Sequence, residues 1–471
     1  MSTEAPSRGR PRSARRFRAR LVGTVLVLAL VAAVSAVVGA GQGPRLSRVS
    51  YSATDLVTKA AQRVILSANQ RVAPVRARDV SVTPRAAFSV STSGNAIALE
   101  FAGPLRYDAS YRVVVRGVTA AGRSVPATLR TSVRTGTTSV LSLLPARTSG
   151  APDRIVRRPL DGAGNTVLDA ASDIAEFQRL GRYLVVLRTD TDRQSSIDLV
   201  PASGTGAVEH IQMPTRSGRA SSLHVADDGA AFGFVFDATS GGRTVSSGLY
   251  LVPLSGTHLP MPVRPDGTIA DRTTASPVGV GQWAFVPRTE SALVRTDDDD
   301  LLLVDTTGTA KPVRLGAATS LHGFVGTGTT AIVETGTGIE RLDLATGRTS
   351  ALNVPADVPT DGYLGRIAAL TPSTYLRVVG DLRADGTVAA HVERVAGATA
   401  TTLPIVVAAD AAVTGLCPSP NAQLVAVLTR SPAGESVLVA DASSGAIEAT
   451  IEASTVDWCG AVPSGPDDTA G

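Results

Sequence analysis

Cysteine, lysine and aromatic side chains are scarce in this 471-residue chain: two cysteines, 4% aromatic residues, and lysine only at Lys59 and Lys311. Two cysteines are too few for a disulfide-dense scaffold. Cys417 and Cys459 are compatible with one bridge in an oxidising compartment. The five histidines, His210, His224, His258, His322 and His391, share no spacing. Without H-x-x-x-H, H-E-x-x-H or C-x-x-C pairs a zinc site has no local support, and each histidine is expected at a surface or strand end. There is no G-x-S-x-G turn to strain a serine nucleophile, and no glycine-rich phosphate loop leading into a helix. No catalytic residue, metal or cofactor is therefore expected.

Charge is unevenly placed. Residues 1–20 hold seven of the 45 basic residues and one of the 41 acidic ones, leaving 38 against 40 for the rest. The body of the chain is thus slightly acidic, which argues against a nucleic-acid partner. Next comes Leu21–Ala40, twenty residues without a charge. At about 1.5 Å per residue that stretch spans a hydrocarbon core of about 30 Å. Arginine stays on the cytoplasmic side, so a single-pass helix with the N-terminus inside and all later residues outside is expected. The rival reading is a cleaved signal peptide. Val38-Gly39-Ala40 offers small residues for cleavage, although the apolar run exceeds the usual 7–15 residues.

After a short polar connector, Gln42–Ser50, residues 45–135 carry short alternating strands and no helical period. Val64–Leu66, Val80–Val82, Ala96–Phe101, Tyr111–Val115 and Ala127–Val133 recur at about ten-residue intervals, the pattern of a small antiparallel sandwich. In Leu66–Pro84 and Gly103–Val125 this stretch resembles the bacterial Ig-like domains of surface-layer and envelope proteins. That resemblance implies a spacer or adhesive module.

From Thr138 the chain repeats itself. An apolar strand runs into a small turn at Gly162, Gly204, Gly256, Gly308, Gly347, Gly397 and Gly445, with spacings of 42, 52, 52, 39, 50 and 48 residues. Glycine takes a positive φ there without penalty. A second turn lies upstream in Leu223–Gly229 and Leu416–Asn421. Two hairpins per unit make a four-stranded blade, and seven units make a ring over 138–460. The units resemble the propeller blades of TolB-like and WD40-like proteins. The consecutive apolar residues of Leu184–Leu187, Leu301–Val304 and Val437–Val439 suit strands covered on both faces by neighbouring blades. The repeated turns of propeller sialidases are absent. The tail 463–471, small and polar, is expected to be disordered.

The first unit, near Ile155–Leu168, lacks an inner strand, whereas Ser454–Cys459 is a strand without a unit. Aligning 413–417 with 455–459 puts Cys417 and Cys459 at equivalent points of successive inner strands. The terminal strand is therefore expected to complete the first blade, and a Cys417–Cys459 disulfide to clamp it; the alternative is two small buried residues. Asp297–Asp300 could suit a calcium ion but reads more readily as a solvated blade tip.

The all-β architecture, a transmembrane helix, an Ig-like sandwich and a seven-bladed propeller, suggests a non-enzymatic cell-envelope scaffold or binding protein. Its partner would be an envelope protein or a wall polymer, with the membrane held through residues 21–40. The competing class is a hydrolase or lyase with its site in the axial funnel. A funnel that gathers carboxylates and arginines would favour that class, and a bland one would not.

Overall fold

The structure is a computed structural model that describes residues 17, 20–31, 43–148, 150–240, 243–270, 275–352, 362–382 and 388–464. Residues 20–31 are helical. The rest of the expected span, 32–40, lies outside the described residues, and no helix among the described residues is long and apolar enough to cross a membrane. The chain divides into two compact units. One holds residues up to 52 with 61–102 and 110–134; the other holds 53–60, 103–109 and everything from 135.

The first unit is built from two antiparallel sheets. One orders Leu46–Ser50, Arg63–Ala68, Ala96–Phe101 and Phe88–Ser93; the other orders Val80–Thr83, Ser110–Val118 and Ala127–Arg134. Alternation decides which faces are buried. Ile97, Leu99 and Phe101 are fully covered while Ala96, Ala98 and Glu100 between them are not. Leu46–Ser50 corrects the expected polar connector: it pairs with Arg63–Ala68 as an edge strand. Its mixed sequence gave no alternation because an edge strand takes its hydrogen bonds from one neighbour and needs little apolar surface.

Among the described residues the second unit is a β-propeller of seven four-stranded antiparallel sheets. Numbered in chain order, blades 2 to 7 begin with inner strands Ile174–Leu180, Arg219–Val225, Val280–Phe285, Ser320–Phe324, Gly362–Thr371 and Ala412–Pro418. Blade 1 takes its inner strand, Thr455–Val456, from the far end of the chain, followed outward by Ser139–Leu144, Asp153–Pro159 and Thr166–Ala171. The pairs are Thr455 with Leu143 and Val456 with Ser142. The terminal strand therefore completes the first blade as expected, but it covers only Thr455–Val456 of the expected Ser454–Cys459, the rest being a 3-10 turn. Each sheet remains an open ladder, and closure is a property of the ring.

Hydrophobic burial explains why the ring forms. Each apolar cluster of this unit draws on two consecutive blades. Val185, Leu187, Ile197 and Leu199 of blade 2 pack against Phe232, Phe234, Phe236 and Tyr250 of blade 3. The last cluster joins Cys417, Leu424 and Val437 of blade 7 to Val140, Val456 and Trp458 of blade 1. No blade could cover either face alone. Leu184–Leu187 are all buried, as consecutive apolar residues in a doubly covered strand should be.

All seven repeat glycines lie in the outermost hairpin of their blades, between the third and fourth strands, with φ between 61° and 89°. Positions that favour glycine thus mark one turn per blade. The Asp297–Asp300 run is the turn between the second and third strands of blade 4. Asp299 pairs with Arg295 and Asp300 with Arg314. Among the described residues no cluster suited to a metal ion occurs.

Candidate functional site

Antiparallel pairing gives the propeller two distinct faces. Inner strands begin on what we call the upper face, together with the turns between second and third strands. They end on the lower face, with the turns between first and second strands. Beyond Val456 the chain makes a short 3-10 turn, Asp457–Ala461, and continues through Val462, Pro463 and Ser464 into the centre of the ring. There Ser464 forms an isolated bridge with Trp283 of blade 4, whose N–H donates to the Ser464 carbonyl at 3.2 Å. Pro463 and Ser464 therefore belong to the folded propeller, unlike the disordered tail expected from 463. Residues 465–471 lie outside the described residues.

Below the tail lies a small cavity of about 70 Å³, lined by His322, Phe324, Val462 and lower-face turns such as Gly326–Thr327. A second cavity, of about 460 Å³, has Val462, Pro463 and Ser464 among its lining residues; we call it the cup. Its wall carries Glu176, Gln178, Ser221 and His224, and Arg219, Arg366 and Arg430 also face it. The funnel is thus not bland.

The polar groups in the wall are engaged by the protein itself. Glu176, on blade 2, accepts the N–H groups of Ser222 (2.9 Å) and Leu223 (2.8 Å) from the next blade. Those two donors converge because Ser222 has φ 55° and the ladder is bulged between Ser221 and His224. Burial pushes the Glu176 pKa up, against the opposing pull of these bonds and of Arg219. Gln282, on blade 4, does the same for blade 5, accepting the Leu321 N–H at 2.8 Å. Glu435 is held by Arg430 at 2.8 Å.

His224 stands at the end of the inner strand Arg219–Val225, as one of the two expected roles has it, but it is buried at 1% exposure rather than on the surface. Its Nδ1 lies 3.0 Å from the Gly460 carbonyl, and its Nε2 lies 2.7 Å from the Ser464 hydroxyl. A carbonyl only accepts, so in the neutral ring Nδ1 carries the proton and Nε2 accepts from Ser464. The ring also stands edge-on to Trp283, centroids 4.9 Å apart. A Cβ on Gly460 would meet the end of the Gln178 side chain, whose amide would have to shift to admit it.

Asp457 accepts the Leu141 N–H at 3.0 Å, and burial raises its pKa to about 7, against the pull of Arg179 and Arg157. The disulfide expected between Cys417 and Cys459 is present, with Cα atoms 4.9 Å apart. It ties the end of blade 7's inner strand to the base of the tail.

Nothing local marked Glu176, His224 or Ser464 in the sequence, because their partners lie 46 to 240 residues away. The one available signal was the small-residue run Gly460-Ala461 after Trp458-Cys459, which could cross a crowded axis.

No protein-family model matches the chain, and no curated protein matches it. Solved structures do resemble it. A protein of unknown function from Bacteroides thetaiotaomicron shares 10% identity over 82% of this chain and 95% of that one, at a TM-score of 0.40. The periplasmic gluconolactonase of Pseudomonas aeruginosa shares 13% over 68% of this chain and 97% of its own, at 0.41. A β-propeller domain from Myceliophteria thermophila shares 12% over 60% and 87%, at 0.33. Likenesses this distant carry no activity over to this chain.

Proposed function

We propose that the protein is a non-enzymatic binding module of the cell envelope. Leu21–Ala40 holds it to the membrane with its N-terminus inside, the first unit acts as an Ig-like spacer, and the propeller meets a protein or wall polymer outside. The arginine flank and the uncharged run support the topology. One observation carries the binding reading: the acid–base groups deep in the cup are engaged by other groups of the protein. Glu176 staples two blades, His224 holds the tail, and Glu435 is paired with Arg430. In-cell cross-linking with mass spectrometry tests this. Capture of an envelope protein or glycan is expected; recovery of lipids alone under several conditions would contradict it.

A hydrolase is the second reading, favoured by one specific geometry. Ser464, His224 and the Gly460 carbonyl stand as a hydroxyl, a base and a group that orients the base. A fluorophosphonate probe separates the two readings. The binding reading expects no adduct, and labelling of Ser464 would establish the hydrolase.

A further inference from the structure

We infer that the first unit lays an arginine-rich end against anionic lipid headgroups, beside the point where the chain leaves the membrane. This deepens the proposed topology and rests on the reading of Leu21–Ala40 as a membrane span. The near-neutral total charge hides a strong division. Within 43–52, 61–102 and 110–134 the first unit holds twelve arginines against two acids, Asp79 and Glu100. Glu100 is paired with Arg63 at 2.7 Å. From 135 onward the chain reverses sign, with 24 basic residues against 36 acidic ones. The positive excess belongs to this unit.

The fold gathers part of that charge at one end. Gly43–Leu46, where the chain enters the unit, runs beside Pro126–Arg130, so Arg45 and Arg130 share one groove. Arg116 comes to the same end because Val115 pairs with Leu129 and Val118 with Ala127. Arg71 joins them, since its carbonyl accepts the Ala121 N–H in the hairpin between those two strands. All four arginines are exposed, and among the described residues none forms an ion pair. The acid nearest in the ladder is Asp79, one residue before Val80, which pairs with Val115. One carboxylate against four guanidinium groups leaves this end positive.

Position and shape select the partner. Only Gly41 and Gln42 separate the uncharged run from Gly43. Two extended residues reach about 7 Å, less than the Debye length of about 8 Å at physiological salt. With Leu21–Ala40 in the bilayer, the arginines around this entry point stand in the field of an anionic leaflet. The same hairpin exposes an apolar tip. Val125 is 40% exposed and Pro126 is exposed beside it, and a Cβ on Gly43 would lie 3.3 Å from the Val125 carbonyl. An apolar tip flanked by guanidinium groups suits a lipid interface, where the tip meets acyl chains and the cations meet headgroups. A hydrated wall glycan would use the arginines and leave Val125 without a partner.

The test uses the full chain reconstituted in vesicles of phosphatidylcholine alone or mixed equally with phosphatidylglycerol. Val125→Cys supplies a thiol for an environment-sensitive fluorophore, both native cysteines being held in their disulfide. The label should turn bluer and brighter in the anionic vesicles only, and added salt should reverse the change. Arg116→Gln and Arg130→Gln should each lower the ratio of docked to undocked protein about fivefold. Arg116→Lys and Arg130→Lys keep the charge and should dock like the parent, which covers a glutamine variant that fails to fold. A label that reads the same in both lipids, or a shift indifferent to both glutamine variants, would overturn the inference. So would a shift that needs an added anionic wall-polymer fragment, or one that grows with protein density in neutral vesicles, the mark of a second copy's acidic propeller. A chain that floats with neither vesicle would overturn the membrane span and the inference with it, whereas an anchored chain with an unmoved label overturns the inference alone.

Discussion

The hydroxyl of Ser464 and Nε2 of His224 meet at 2.7 Å across 240 residues of sequence, and the contact holds the far end of the described tail, at Ser464, against the inner strand of blade 3. His224→Ala should release that end. The change removes two hydrogen bonds and an edge-on contact with Trp283, for a loss of about 3 kcal/mol. Ser464→Ala removes one bond and should cost about 1 kcal/mol. Urea unfolding gives both values, and hydrogen exchange at 457–464 should rise more in the histidine variant. Equal losses would show that the hydroxyl, rather than the ring, holds the tail.

The Cys417–Cys459 bridge closes a loop of 42 residues. In the chain-entropy treatment a loop of that length contributes about 4 kcal/mol. The double variant Cys417→Ala, Cys459→Ala should unfold at markedly lower urea while keeping its circular dichroism, because strand pairing at Thr455 and Val456 also joins the ends. Loss of the fold altogether would mean that the pairing depends on the bridge.

Asp457 gives stability a pH dependence of unusual sign. Its folded pKa of about 7 lies above the ordinary 3.8. The folded state therefore prefers the protonated acid. Its contribution is fully present below about pH 4 and is lost as pH rises towards 7. Asp457→Asn keeps an acceptor for the Leu141 N–H without the charge. The stability advantage of this variant over the parent should grow from pH 4 to pH 7. A constant difference over that range would contradict the assignment.

Glu176 satisfies two main-chain donors in a bulge, so Glu176→Ala should cost about 2–4 kcal/mol. Gln282→Ala, which orphans one main-chain N–H and one rotatable hydroxyl at the equivalent place, should cost about half as much. Chemical denaturation separates the two. A negligible loss in Glu176→Ala would mean that water replaces the carboxylate at the staple.

The parts of this fold legible in the sequence are those with local causes. Seven glycines recur because the outer hairpin of every blade needs a positive φ. Trp458-Cys459 matches Leu416-Cys417 in sequence, and from that match the closure and the bridge follow, although Leu416 and Cys417 lie in an inner strand while Trp458 and Cys459 lie in the 3-10 turn just beyond one. The edge strand Leu46–Ser50 was missed because it buries no alternating face. The cup was missed for a different reason. Arg219, Arg366 and Arg430 lie on three separate strands far apart in sequence, and only the ring brings them to one cavity.

Those turn glycines differ in surroundings. A Cβ at Gly162 meets open space, whereas one at Gly445 would lie 2.6 Å from Pro404. Gly162→Ala should cost about 1 kcal/mol for its backbone alone, and Gly445→Ala clearly more. Melting temperatures of the two variants check the difference.

The central claim is that the partner meets the cup, and site-specific photo-cross-linking in cells tests it most directly. A photoreactive residue in place of Thr189, in the cup wall, should capture an envelope component. The same residue in place of Ser443, exposed in an outer turn of blade 7, should capture little. Capture from Ser443 alone, or equal capture from both, would contradict the account.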